Sequence, residues 1–206
     1  DKMITARKKP ASPDIAVRNR LLSAATELFS RKGYPATTTR EIVAAAGVTK
    51  PVLYYYFRNK EGIYLELMGG AFAKFDALLD ASRRERGSAT KRLLCLSDQI
   101  FSLFMENIEV ARLMYSIYYG PHQGAPFFNF DAYHLKCQDT IRQLVKKGIH
   151  QREFQKGNVD DRVWAILGAV NVALEVQLSH PEWAIDRKGL ARILNLILRG
   201  FQKEGK

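Results

Sequence analysis

No stretch of this chain alternates apolar and polar residues for long enough to build a sheet; its apolar positions recur every three or four residues instead. That period restricts the fold to the all-α class, with about nine helices. Ser12, Pro13 and Asp14 read as an N-cap, a first-turn proline and a first-turn acid. The helix they open carries Val17, Leu21, Ala25 and Leu28 on one face and stops at Gly33. Thr38 and Glu41 have the spacing of a capping box and start a helix over 39–46 that ends at Gly47. Thr49 caps a third helix over 50–57, and Asn59 caps a fourth.

Beyond residue 60 the helices lengthen, with expected spans 60–83, 90–107, 109–118, 128–148, 159–179 and 186–202. The longest apolar run, 163–174, contains Asn171 and falls short of the roughly 20 residues that a membrane span needs, so no membrane partner is expected. Cys95 and Cys137 lack any CxxC spacing and form no disulfide framework, which fits a reducing cytoplasm. The basic N-terminus leads into no apolar run and does not read as a signal peptide.

Charge divides the chain. Residues 1–60 hold 12 Lys+Arg against 4 Asp+Glu, whereas 61–206 hold 20 against 17, out of a net charge of +11. Without residues 1–12 the first part still carries 8 positive against 3 negative charges, so a polyanionic partner is expected there. The expected organisation is a basic tail over 1–12, a three-helix domain over 13–60 and a larger helical domain over 61–206, divided within the fourth helix because no flexible linker intervenes.

Two short helices joined by a tight glycine turn, after a longer first helix, make a helix-turn-helix. Ile42, Ala46, Val48, Leu53 and Tyr56 fall where the two helices pack, and Gly47 falls where the turn needs positive φ. Lys50, Pro51, Tyr54 and Tyr55 share the face opposite Leu53 and Phe57. Residues 20–67, reading RLLSAATELFSRKGYPATTTREIVAAAGVTKPVLYYYFRNKEGIYLEL, closely resemble the DNA-binding region of the TetR family of bacterial transcriptional regulators. The resemblance implies a dimeric repressor that binds a palindromic double-stranded DNA operator and is released by a small effector. It assigns DNA contacts to Thr39 and Thr49 at helix N-termini, to Lys50, Tyr54, Tyr55 and Tyr56, to Lys60 as a flanking phosphate anchor, and to Arg40 more weakly. Pro51 and Val52 stand where family members often carry small or polar residues; Pro51 removes a donor and Val52 offers only apolar contact. Core packing competes for the tyrosines, and Tyr56 is the one most readily conceded to it.

In the larger domain, Phe101, Phe104, Met105, Met114, Tyr115, Tyr118, Phe130, Tyr133 and Trp164 form an expected pocket for an apolar or aromatic ligand, against the alternative of plain core. His134 and Cys137 join it on the seam Phe130, His134, Cys137, Ile141, Leu144; one His–Cys pair without a second makes no metal site. Ile166, Val170, Leu174, Leu190, Ile193, Leu194, Ile197 and Phe201 make wide apolar faces on the last two helices, which the resemblance implies form the homodimer seam. Gly69 and Gly70 interrupt the fourth helix, either as a bend point or through close packing. No P-loop, GxSxG, HExxH or glycine-rich dinucleotide turn occurs, so neither an enzyme nor a cofactor is expected. The remaining alternative is a helical interaction module with a vestigial DNA-binding domain.

Overall fold

A computed structural model of the chain describes residues 13–120 and 124–202. The expected tail over 1–12, with the Ser12 cap, lies outside the described residues. Within them the chain forms nine α-helices, one 3-10 turn and no strand. In order these are α1 (Pro13–Lys32), α2 (Thr39–Ala46), α3 (Lys50–Phe57), α4 (Lys60–Arg84), α5 (Ala89–Glu106), α6 (Ile108–Tyr118), α7 (Phe130–His150), α8 (Val159–Ser179) and α9 (Arg187–Phe201), with the 3-10 turn Pro181–Trp183 before α9. No described helix is long and apolar enough to cross a membrane.

Two compact units emerge, and the division falls inside α4. The N-terminal unit comprises residues 1–67 and 113–126, and the larger unit comprises 68–112 and 127–206. The first turns of α4 belong to the N-terminal unit because Ile63 and Tyr64 are fully buried there, Tyr64 with its ring 5.2 Å from Tyr34. Leu21, Ala25 and Phe29 of α1, Ile42 and Val43 of α2, and Leu53 and Phe57 of α3 complete that core.

The larger unit packs α5, α7, α8 and α9 around Leu93, Leu96, Ile141, Val145, Val163, Leu167 and Leu198. Here the expected homodimer seam is corrected. Ile166, Val170, Leu174, Leu190 and Leu194 are 1–6% exposed and form this chain's own core, with Ile197 and Phe201 packed partly buried against it. An amphipathic helix spends its widest apolar face on its own core first. The apolar side chains that α8 and α9 leave in solvent are others: Trp164, Val172, Leu196 and, from the expected set, Ile193.

Polar groups close the helix ends. Glu153, in the turn after α7, accepts hydrogen bonds from the Ala89 and Thr90 amides at 2.6 and 2.8 Å, covering the free N–H groups at the start of α5. Burial pushes the Glu153 carboxyl up, but these bonds outweigh it and hold the group below its ordinary range. Arg92, buried without a carboxylate partner, donates to the Ser82 and Arg83 carbonyls at the end of α4, where the helix dipole favours a cation. Glu153→Ala is therefore expected to cost about 1–2 kcal/mol. A lower urea midpoint at unchanged slope is the expected result; an unchanged midpoint would show that water replaces the carboxylate without penalty.

Candidate nucleic-acid interface

The helix-turn-helix is built by local chemistry. Thr38 at the N-cap accepts from the Glu41 amide at 3.2 Å, while the Glu41 carboxylate accepts from the Thr38 amide at 2.9 Å. Lys32, in the last turn of α1, pairs with the same carboxylate. The Lys32 ammonium, and then the Thr38 groups, hold the Glu41 carboxyl at about 2. Gly47 ends α2 at φ 64°, ψ 41°, a left-handed conformation that turns the chain into α3. Thr49 is at the N-cap of α3 but its side chain makes no cap hydrogen bond, contrary to the expected cap, because Pro51 in the first turn already removes one of the orphan donors.

The junction after α3 depends on a glycine that pattern reading passed over. A Cβ on Gly62 would stand 2.0 Å from the Phe57 carbonyl oxygen, so only glycine lets α4 start this close to the end of α3. Asn59 caps α4 by accepting from the Gly62 amide at 2.7 Å. Lys60 is spent on the same framework: its ammonium donates to the Tyr34 and Thr37 carbonyls, both at 2.9 Å, and lies 4.2 Å from the Tyr34 ring centroid. Burial lowers its pKa. This corrects the reading of Lys60 as a free phosphate anchor. Tyr56 is likewise engaged, donating its phenol to Asp14 of α1, which raises the Tyr56 pKa to about 12.

Lys50, Pro51, Tyr54 and Tyr55 remain exposed on one side of α3, with Tyr54 49% and Tyr55 78% accessible. Arg40 and Thr49 are exposed; Thr39 and Val52 are half-buried. Arg58, the C-cap just past α3, is also exposed, with no ion pair among the described residues, at φ 62°. It lies one residue past the end of α3, where helical spacing no longer assigns a face. The exposed face is therefore cationic and phenolic, able to donate to phosphate oxygens and base edges but holding no nucleophile–base pair.

The expected ligand residues do not assemble into one wall. Phe101 and Met105 line a cleft of about 720 Å³ in the larger unit, with Asp98, Gln177, Ile185 and Arg187. Phe130 and Tyr133 cluster elsewhere with Phe72 of α4, at ring distances of 5.5 and 4.6 Å. Phe104 packs against the larger unit's core, and Cys137 is buried in it. Met114, Tyr115 and Tyr118 belong to the N-terminal unit. Two of the expected wall residues are corrected outright. Trp164 is 58% exposed, because the core side of α8 is taken by Val163, Ile166 and Leu167. His134 is exposed, because the buried seam of α7 begins only at Cys137.

Glu41 generates a pH prediction. Its folded pKa lies below the unfolded value of about 4.3, so its stabilisation is complete above that value and is lost as pH falls towards 2. In thermal melts between pH 6 and 2.5, Glu41→Gln is expected to flatten the acid-side decline, since glutamine keeps the capping box but does not titrate. Parallel curves for the two proteins would place the acid sensitivity elsewhere.

Comparison with known proteins agrees with this geometry. Residues 21–67 match the family model described as bacterial regulatory proteins, tetR family. The chain is 44% identical over 155 residues to the transcriptional regulator QacR of Staphylococcus aureus, covering 73% of this chain and 74% of that protein. It is 35% identical over 197 residues to the transcriptional repressor KstR2 of Mycobacterium tuberculosis, covering 91% and 94%. Several other curated relatives match over only about half of their own length. Among solved structures, the SmeT–triclosan complex superposes with a TM-score of 0.71 at 19% identity, covering 92% of this chain and 93% of that one. A helix-turn-helix with an exposed cationic face, matched in sequence well beyond that motif, places this chain in the TetR family of bacterial transcriptional regulators.

Proposed function

We propose that the chain is a homodimeric repressor that binds a palindromic operator in the bacterial cytoplasm and is released by a small apolar or aromatic ligand. The observation that carries the DNA reading is the free face of α3: Lys50, Tyr54, Tyr55 and Arg58 are exposed, while Lys60 and Tyr56 hold that face in place. Thr39 and Thr49 sit at helix N-termini, where amides and a hydroxyl receive phosphate. Arg58 takes the anchoring role that Lys60 cannot fill.

Two such faces related by a two-fold axis read a palindrome. The dimer surface is the solvent side of α8 and α9: Trp164, Gly168 and Val172 recur at four-residue spacing, and Ile193, Leu196 and Gly200 form the matching stripe. A Cβ on Gly168 or Gly200 would meet nothing within 4 Å in this chain, so neither glycine answers to internal packing; a second copy gives both a reason. For the ligand, the support is the cleft at Phe101 and Met105, whose volume suits a small organic molecule, and the structural likeness to a protein solved with triclosan. A Cβ on Gly69 or Gly70 would also meet nothing within 4 Å, so packing within this chain does not require them, which favours the bend-point role. They follow directly on the division of α4 between the two units.

The experiment for DNA binding is a salt titration against the DNA flanking the chain's own gene. Lys50→Ala is expected to weaken binding at least tenfold, and Arg58→Ala to reduce the slope of log affinity against log salt by about 1 per protomer. Unchanged slope and affinity in both would refute this face. For the dimer, Leu196→Asp is expected to sediment as a monomer with an unchanged circular dichroism spectrum, because it buries a carboxylate only when two copies meet. A dimer in that variant would place the interface elsewhere.

A further inference from the structure

One end of the larger unit gathers exposed cations that form no ion pair among the described residues. Three segments meet there. The Glu153 carboxylate fastens the turn after α7 to the first amides of α5, the Gln155 amide donates to the Phe201 carbonyl at 2.8 Å, and Arg92 draws in the end of α4 through the Ser82 carbonyl. On these segments Arg84, Arg86, Lys91, Lys146, Arg152 and Lys156 are all exposed, and none forms an ion pair among the described residues. Arg199 joins them at the end of α9, also exposed, and half-buried Lys147 lies one residue after Lys146.

The acids of this end are mostly spoken for. Asp139 pairs with Arg83, Asp160 with Arg142, and Glu153 is the α5 cap. Asp80, whose carboxylate also feels Arg84, is held by Lys136, while Glu85 and Asp161 form no ion pair among the described residues. Elsewhere the same unit carries a slight acidic excess, so the positive charge is concentrated rather than general. Duplex DNA carries condensed cations, and side chains that neutralise its phosphates release them with a gain of entropy.

We propose that this end is a second, sequence-independent site for the phosphate backbone of duplex DNA, separate from the helix-turn-helix face. The observations favour DNA over an anionic bilayer. None of the large exposed apolar side chains falls within 84–91 or 146–157, so these segments offer no wedge to bury among acyl chains, and surface binding to a bilayer draws on such burial. Exposed arginines and lysines without apolar neighbours are instead the electrostatic footprint of a phosphate backbone.

The test uses the whole chain with its helix-turn-helix face disabled by Lys50→Ala, Tyr54→Ala and Arg58→Ala, and a short random-sequence duplex as probe. This protein is expected to retain salt-dependent binding to the duplex. Adding Arg84→Ser, Arg86→Ser, Lys146→Ser and Arg152→Ser is expected to weaken it at least tenfold at low salt, and to reduce the salt slope by about 0.9 for each phosphate no longer neutralised. Those four side chains are exposed, so an unchanged thermal melt is expected alongside. Equal binding before and after the four substitutions would overturn the proposal, as would no duplex binding by the face-disabled chain. Tighter binding to phosphatidylglycerol vesicles than to the duplex would overturn it too, and assign the surface to a membrane.

Discussion

The Lys60 ammonium is the fastening on which the DNA-reading face depends. It reaches from the first turn of α4 to the two carbonyls that the turn between α1 and α2 leaves without helical partners, Tyr34 and Thr37. Thr37 is 1% exposed and its hydroxyl is turned back onto the Gly33 carbonyl, so little solvent reaches that residue. The Tyr34 ring that carries the cation packs in turn on Phe29 of α1 and Tyr64 of α4, at 5.3 and 5.2 Å. One side chain thus fixes the start of α4, and the missing side chain of Gly62, whose Cβ would stand 2.0 Å from the Phe57 carbonyl oxygen, lets the end of α3 lie against it.

Around that point α1 acts as the frame. Asp14 near its start accepts from Tyr56, Arg18 pairs with Glu66 and lies over the Phe57 ring, and Lys32 at its end pairs with Glu41. Exposed ion pairs contribute little to stability individually, about 0–1 kcal/mol, and their service here is orientation. With Tyr56 and Lys60 tied inward, the side chains left outward on α3 and just beyond it are Lys50, Pro51, Tyr54, Tyr55 and Arg58. A recognition face needs a few side chains held in one geometry more than it needs many cations.

What was legible in the sequence follows from how local each signal is. The capping box at Thr38 and Glu41 and the left-handed Gly47 are decided within a few residues, and the structure shows them where the spacing puts them. Helix ends drifted where tertiary contact overrides local cues: α7 runs on through Gly148 to His150 rather than stopping at the glycine, whose missing side chain makes room for the Phe154 ring. Which way a wide apolar face points is not local at all. Ile166, Val170 and Leu174 on α8 and Trp164 and Val172 on the same helix differ only in what packs against them, and periodicity assigns a stripe without naming its partner. The same holds for charge. Lys60 and Arg58 are alike in sequence, and only the carbonyls of a turn some 25 positions earlier separate them.

Removing the Lys60 ammonium tests this account most directly. In Lys60→Met the apolar stem remains, but the Thr37 carbonyl loses its donor, at about 1–3 kcal/mol if water does not replace it, and the Tyr34 carbonyl keeps only the Thr37 amide. Thermal unfolding of the full chain is measured beside the salt dependence of its binding to the DNA flanking its gene. A fastening predicts a clearly lowered melting transition, with DNA binding recovering when the fold is stabilised by cooling. An unchanged melting transition, together with a salt slope reduced by about 1 per protomer, would make Lys60 a phosphate contact and contradict the account.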